Sequence, residues 1–246
     1  MSTFSSPAKF MSLVWTLGLK NLKLRYKNSI LGFLWSLLNP IMYLIIFSFV
    51  FGSVFNDIDR YPLYALTGLF FWSFFSSTTI QVIESIINSA GVLKSINVPT
   101  IAFPLGGLLS SLLSLFLTLI PYLVMMFIFG MKAGWEFLMF IPLLITFSMF
   151  TLGVSLMLTS MNVYFRDIQI AWSTFMPAIF YATPIAYTFN IIPAKYKFIA
   201  LLNPLYYYIN ALRDIMYYNR WIGFTDFLIL LSIGTIFLWK IGRAHV

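Results

Sequence analysis

The chain has 246 residues, 61% of them hydrophobic and 9% charged, with a net charge of +8 and no cysteine. A soluble domain carries about 25% charged residues, so the composition excludes a soluble globular protein, and the absence of thiols excludes disulfide and thiol chemistry. What remains is an all-α polytopic membrane protein with room for about six spans of about 20 residues each.

The opening MSTFSSPAKFMSLVW has an apolar part followed by lysines, not by the small residues of a cleavage site, and is not expected to be a signal peptide. From 9 to 27 polar residues recur three or four apart, at Lys9, Ser12, Thr16, Lys20, Lys23 and Lys27, with Phe10, Leu13, Val14, Leu17 and Leu24 between them. One face is apolar and the other basic, which predicts a helix lying in the membrane interface with its lysines toward anionic headgroups. Each such cation contributes about 1 kcal/mol. The plainer reading is an ordinary basic flank of the first span. After Lys27 no charge appears until Asp57.

Six spans are expected after that helix: Ile30 to Phe55, Pro62 to Asn88, Ile101 to Phe129, Phe137 to Met161, Ile168 to Phe189 and Phe224 to Trp239. Prolines 40, 121, 142, 177 and 184 fall inside them and should kink them. The expected organisation is residues 1–29 as a cytoplasmic N-terminal segment, 30–240 as the six-span domain, and 241–246 as a non-native tail. The tail, IGRAHV, resembles the translation of a sequencing adapter, so its His245 receives no role. Lys and Arg weigh the loops toward an inside N-terminus, and the five cations before the first span decide the orientation. That count places Arg213 in an outer loop.

Between the fifth and sixth spans, residues 190–223 are rich in tyrosine and apolar residues. Two readings stay open there: two short amphipathic helices broken at Asn203-Pro204, lying on or re-entering the outer leaflet, or a plain aromatic belt. In the third span Gly106, Ser110 and Ser114 stand four apart with Gly107 and Ser111 beside them, a pattern for close helix packing.

No enzymatic constellation is found. There is no metal-ligand cluster and no Gly-rich phosphate loop. Glu84 lies about one turn from the inner end of its span, where a structural role is favoured over a functional one. The span centres are nearly free of ionisable groups, so energy for any transport comes from elsewhere. No nucleic-acid partner is expected.

Four segments, in order, carry a resemblance: RYKNSILGFLWSLLNP after the basic helix, GVLKSINVPTIAFPL (91–105), NVYFRDI (162–168), and the pair FYATPIAY (180–187) and LNPLYYYINALRD (202–214). Together they resemble the permease subunit of a type-2 ABC exporter of the polysaccharide branch, which moves O-antigen, teichoic acid and capsule-like polymers. Thr100 departs from the pattern, where the family often has a basic residue.

The resemblance implies a homodimer in the bacterial inner membrane, paired with a separate ABC ATPase that holds the ATP and Mg; this chain binds no cofactor and is not an enzyme. It implies that Gly91, Val92, Leu93, Lys94, Ser95 and Ile96 form the helix that couples to the ATPase. The substrate would be a polyprenyl-diphosphate-linked glycan, whose headgroup Lys20, Lys23, Arg25, Lys27 and Arg166 would attract. Trp35, Asn39, Tyr43 and Phe47 on the first span, and Ser173, Phe180 and Tyr187 from the fifth, are expected to line the translocation path. Their fifth-span face also carries Gln169, Met176 and Thr183. The rivals are an exporter of a small lipid or drug, a membrane-embedded transferase, and a passive channel.

Overall fold

A computed structural model describes residues 6–27, 34–52, 54–55 and 58–242, and among these every regular element is helical. In chain order they are α1 (Pro7–Tyr26), α2 (Leu34–Phe51), α3 (Tyr61–Ile83), α4 (Ser85–Asn88), α5 (Ala90–Ser95), α6 (Ala102–Ile128), α7 (Phe140–Tyr164), α8 (Asp167–Ala182), α9 (Lys197–Leu201), α10 (Pro204–Met216) and α11 (Phe224–Gly242). His245 and the last four residues lie outside the described part, as do Asp57 and the side chain of Asn39.

Local chemistry sets several ends. The Ser6 side chain accepts from the Lys9 amide with Pro7 in the first turn, and Asn203 does the same for Leu205 with Pro204 behind it. α8 stops at Ala182, short of the expected Phe189, because Thr183 precedes Pro184 and is driven to extended backbone (φ −98°, ψ 129°).

Three stretches are long and apolar enough to cross a bilayer: Tyr61–Ile83, Ala102–Ile128 and Trp135–Tyr164. Ile41–Phe51 and Phe224–Trp239 are shorter apolar helices. The second expected span is interrupted: α3 ends at Ile83 and α4 begins at Ser85, with neither Gly nor Pro at the break.

The core is a stack of aromatic rings between α3 and α7. Phe71 lies on Phe147 at 4.3 Å and 14°, and Phe75 on Phe150 at 5.8 Å. Tyr208 of α10 joins it, 4.9 Å from Phe147 and 5.4 Å from Phe150. Phe71 is about 15 Å along α3 from Tyr61 at 1.5 Å per residue, so α10 is inserted among the long helices and does not lie across their ends. Its buried face, Leu205, Tyr208, Ile209, Leu212 and Met216, has helical spacing. The Tyr208 hydroxyl is satisfied by the Leu230 carbonyl at 2.7 Å.

The small residues of α6 serve two neighbours. A Cβ on Gly106 would meet Leu17 of α1 at 2.7 Å, and one on Gly107 would meet Val82 of α3 at 2.9 Å. On α1, Gly18 accommodates Leu109. Contacts advance from Leu17–Gly106 to Arg25–Ser114, so α1 runs alongside α6 in the same direction. α11 packs on α7 equally closely, with Gly153 against the Phe237 backbone and Gly234 against the Thr146 carbonyl.

One charge assignment is corrected. Arg213, counted above with the outer loops, is 2% exposed inside the bundle. Backbone carbonyls and a tyrosine ring take the place of water around it.

Candidate functional site

The break after α3 is the centre of a polar knot. With the helix interrupted, the Val82 and Ile83 carbonyls need new donors. Thr159 Oγ1 of α7 donates to the Val82 carbonyl at 3.0 Å, and Asn162 Nδ2 to the Ile83 carbonyl at 3.3 Å. The Glu84 carboxylate accepts from Asn88 Nδ2 at 3.1 Å and from Gln169 Nε2 of α8. Asn162 Oδ1 in turn accepts from the Gln169 amide at 3.3 Å. One carboxylate and three amide side chains thereby bind α3, α4, the α7–α8 corner and the first turn of α8 into one unit.

α5 projects from this knot. Gly91, Lys94, Ser95 and Ile96 are exposed, Val92 is 42% exposed, and Leu93 is half-buried. Ile96 is 53% exposed and ends the helix in extended backbone. The segment thus presents Val92 and Ile96 as an apolar surface beside the Lys94 charge. Val98 is buried behind it, and α6 starts four residues later.

The basic residues Lys20, Lys23, Arg25 and Lys27 are exposed on the last turns of α1. Arg25 is also tied down: its Nη1 donates to Ser114 Oγ at 3.0 Å and its Nη2 to Gln81 Oε1 at 3.2 Å. Ser111 Oγ donates to the same Gln81 oxygen at 3.4 Å. The polar side of the small-residue stripe therefore holds a guanidinium, a pairing that helical spacing alone does not reveal. Arg166 is exposed at the N-cap of α8, on a different element from the α1 cations.

On α2, Trp35 and Tyr43 are exposed, and Phe47 is buried against the core. The aromatic row continues past the four residues named above. Successive rings from Tyr43 through Phe47, Phe51 and Phe55 to Tyr61 lie 6.2, 5.8, 6.0 and 5.0 Å apart. Phe51 and Phe55 extend the four-residue spacing and were readable from it. On α8, Ser173 is exposed and Phe180 packs edge-on against Trp72 at 5.3 Å. Gln169 is held in the knot, and Met176 and Thr183 are buried. The open side of α8 carries Ile170, Thr174, Phe175 and Tyr181. Tyr187, half-buried beyond α8, donates its hydroxyl to the Tyr181 carbonyl at 2.5 Å.

At the end of the bundle opposite α5, Arg213 locks three elements together. Its Nη1 donates to the Pro184 carbonyl at 2.9 Å and its Nη2 to the Ile185 carbonyl, and the guanidinium lies 3.7 Å over the Tyr64 ring. Beside it, burial raises the Asp214 carboxyl above the usual carboxylate range, with Arg220 opposing that shift. The Tyr217 phenol is pushed up to about 12, first by burial and then by Tyr218, and donates to the Asp59 carbonyl. No group of three or more potential metal-ligating side chains occurs among the described residues.

Comparison with known proteins gives the family. The profile of the family described as ABC-2 type transporter matches residues 12–217. The chain is 34% identical over 219 residues to the O-antigen export system permease protein RfbA of Klebsiella pneumoniae, which covers 88% of this chain and 84% of that protein. It is 26% identical over 234 residues to the protein of that name from Myxococcus xanthus, covering 94% of this chain and 90% of the relative. It is also 24% identical over 205 residues to the polysialic acid transport protein KpsM of Escherichia coli, over 80% and 78% of the two chains. The matched stretch runs from α1 through α10 and so includes the knot, the basic helix and the Arg213 lock.

Proposed function

This chain belongs to the ABC-2 type transporter family, and from that premise we propose that it is the transmembrane subunit of an ATP-driven exporter of lipid-linked polysaccharide, of the O-antigen, teichoic acid or capsule type. It is a multi-pass membrane protein and a permease subunit, not an enzyme, and it works with an ABC ATPase subunit. The polysaccharide reading is carried by one observation: the 34% identity, over 88% of the chain, to a protein named for O-antigen export.

In this reading two copies form the pathway in the inner membrane, each with six spans and an inside N-terminus. ATP and Mg²⁺ sit on the partner subunit. α5 seats its Val92–Ile96 surface in the ATPase, and the knot around Glu84 carries the displacement to α8. The α1 cations draw the diphosphate headgroup to the inner mouth: Arg25, held by Ser114 and Gln81, presents a planar donor fork, and the lysines act as point charges. α9 and α10 form a re-entrant hairpin that closes the outer mouth. The α2 row, Ser173 and Phe180 of α8, and Tyr187 beyond its end flank the route, where aromatic rings hold sugar C–H faces without fixed hydrogen-bond register.

Deleting the gene tests this. The expected result is loss of surface polymer with build-up of lipid-linked polymer inside, restored by the intact chain together with its ATPase. Export by the purified chain in vesicles without any ATPase would overturn it.

A further inference from the structure

We propose that a cavity at the bundle end opposite α5 is a saccharide site, holding one sugar unit of the exported chain as it leaves; this step rests on the polysaccharide reading. The cavity has a volume of about 530 Å³ and is lined by Asp59, Arg60, Lys132, Thr188, Tyr218 and Asn219, among others. Small-ligand pockets span about 300–1,000 Å³, so a monosaccharide fits.

Four separate segments build it: residues 58–60 before α3, the turn after α6, the chain beyond α8 and the start of the α10–α11 connection. They are fastened to one another. Tyr217 donates to the Asp59 carbonyl, Asn219 Nδ2 donates to the Lys132 carbonyl at 3.1 Å, and Tyr61 donates to the Ala186 carbonyl at 2.7 Å. Arg60 and Asn219 both adopt left-handed backbone at φ 49°, and Gly130 at φ 70°. They are the positive-φ residues of the described chain, and all three line this one cavity. Left-handed non-glycine residues carry a conformational cost, persist only where the surroundings impose them, and gather at functional sites.

The lining has the two components that sugar recognition needs. Tyr218, 45% exposed, carries the Arg220 guanidinium 5.2 Å over its ring and meets Tyr217 edge-on at 4.8 Å; the C–H face of a pyranose would stack on the ring face that Arg220 does not cover. Around it stand groups that pair with neighbouring hydroxyls: the open Asp59 carboxylate, the Arg60 fork and the Asn219 Oδ1, whose amide nitrogen is already engaged. The Arg60–Asp59 pair is loose at 3.6 Å with the carboxylate 84% exposed, so both groups can turn to a ligand.

The test uses the complete complex with its ATPase in lipid nanodiscs and saturation-transfer NMR with D-galactose and N-acetyl-D-glucosamine as probes. Wild type should transfer saturation to the ring C–H protons. Tyr218→Ala should weaken binding on the order of tenfold, the loss of one ring-stacking contact; Tyr218→Trp should retain it. Arg60→Gln, which keeps the ring, should weaken binding through the polar half alone. Equal signals in wild type, Tyr218→Ala and Arg60→Gln overturn the site, as does displacement of the sugar by inorganic phosphate. Surface polymer is scored in parallel. Polymer on the surface without sugar binding sinks this inference alone, whereas no polymer from the intact chain sinks the export reading.

Discussion

Gly68 leaves the space that Arg213 fills: a Cβ at position 68 would fall 2.9 Å from a guanidinium nitrogen and 2.9 Å from the Ile185 carbonyl oxygen. Both neighbours are fixed by the hydrogen bonds of the lock, so neither yields easily. Gly68→Ala should therefore destabilise the protein by about 1–3 kcal/mol, the usual cost of overpacking. Arg213→Ala, which frees the Pro184 and Ile185 carbonyls, should cost about 2–4 kcal/mol. Thermal unfolding in detergent checks both, and an unchanged midpoint for Gly68→Ala would contradict the packing described.

Glu84 and Gln169 bind the α5 end of α3 to α8. Glu84→Gln removes a charge-assisted acceptor worth about 1.5–3 kcal/mol. ATPase binding should persist, while polymer exported per ATP hydrolysed falls roughly tenfold. Combining Glu84→Gln with Gln169→Glu should recover part of the loss, and a double-mutant cycle reads the coupling directly.

Ile96 is the most exposed apolar residue of the α5 surface. Ile96→Asp together with Val92→Asp should abolish co-purification of the ATPase without lowering the unfolding midpoint, because both side chains face outward. Retained association would show that the ATPase docks elsewhere.

Gly106 brings α1 against α6. Gly106→Leu should force the helices apart, at about 1–3 kcal/mol, and expose α1 to protease. Gly18→Ala should also cost stability, because its Cβ would meet Leu109 at Cδ2, Cγ and Cβ (2.7, 2.9 and 3.1 Å) and rotation of that side chain cannot move its Cβ.

Hydropathy made α3, α6 and α7 legible, since each is a long apolar run. The break at Glu84 was not: no Gly or Pro marks it, and the donors that meet its carbonyls, Thr159 and Asn162, are brought near only by folding. Arg213 was misplaced for a similar reason. Loop counting treats an arginine between spans as solvated, whereas carbonyls released at the Thr183–Ile185 turn solvate this one from inside the protein. The tyrosines of 190–223 suit a belt and an inserted helix equally well by composition; only the structure shows the helix Pro204–Met216, with Leu205, Tyr208, Leu212 and Met216 buried. On α8 the expected face divides: Gln169, Met176 and Thr183 turn toward the protein while Ser173 is exposed, a division that depends on neighbours the helical period does not encode.

α1 is clasped along the first turns of α6, and α6 begins just past α5. In the proposed reading, headgroup capture on α1 and ATPase docking on α5 are therefore joined through α6. Thermodynamic reciprocity then applies: whatever factor nucleotide imposes on headgroup affinity, a captured headgroup imposes on nucleotide affinity in return. In that reading, cargo would be sensed through the same helix that answers to the ATPase.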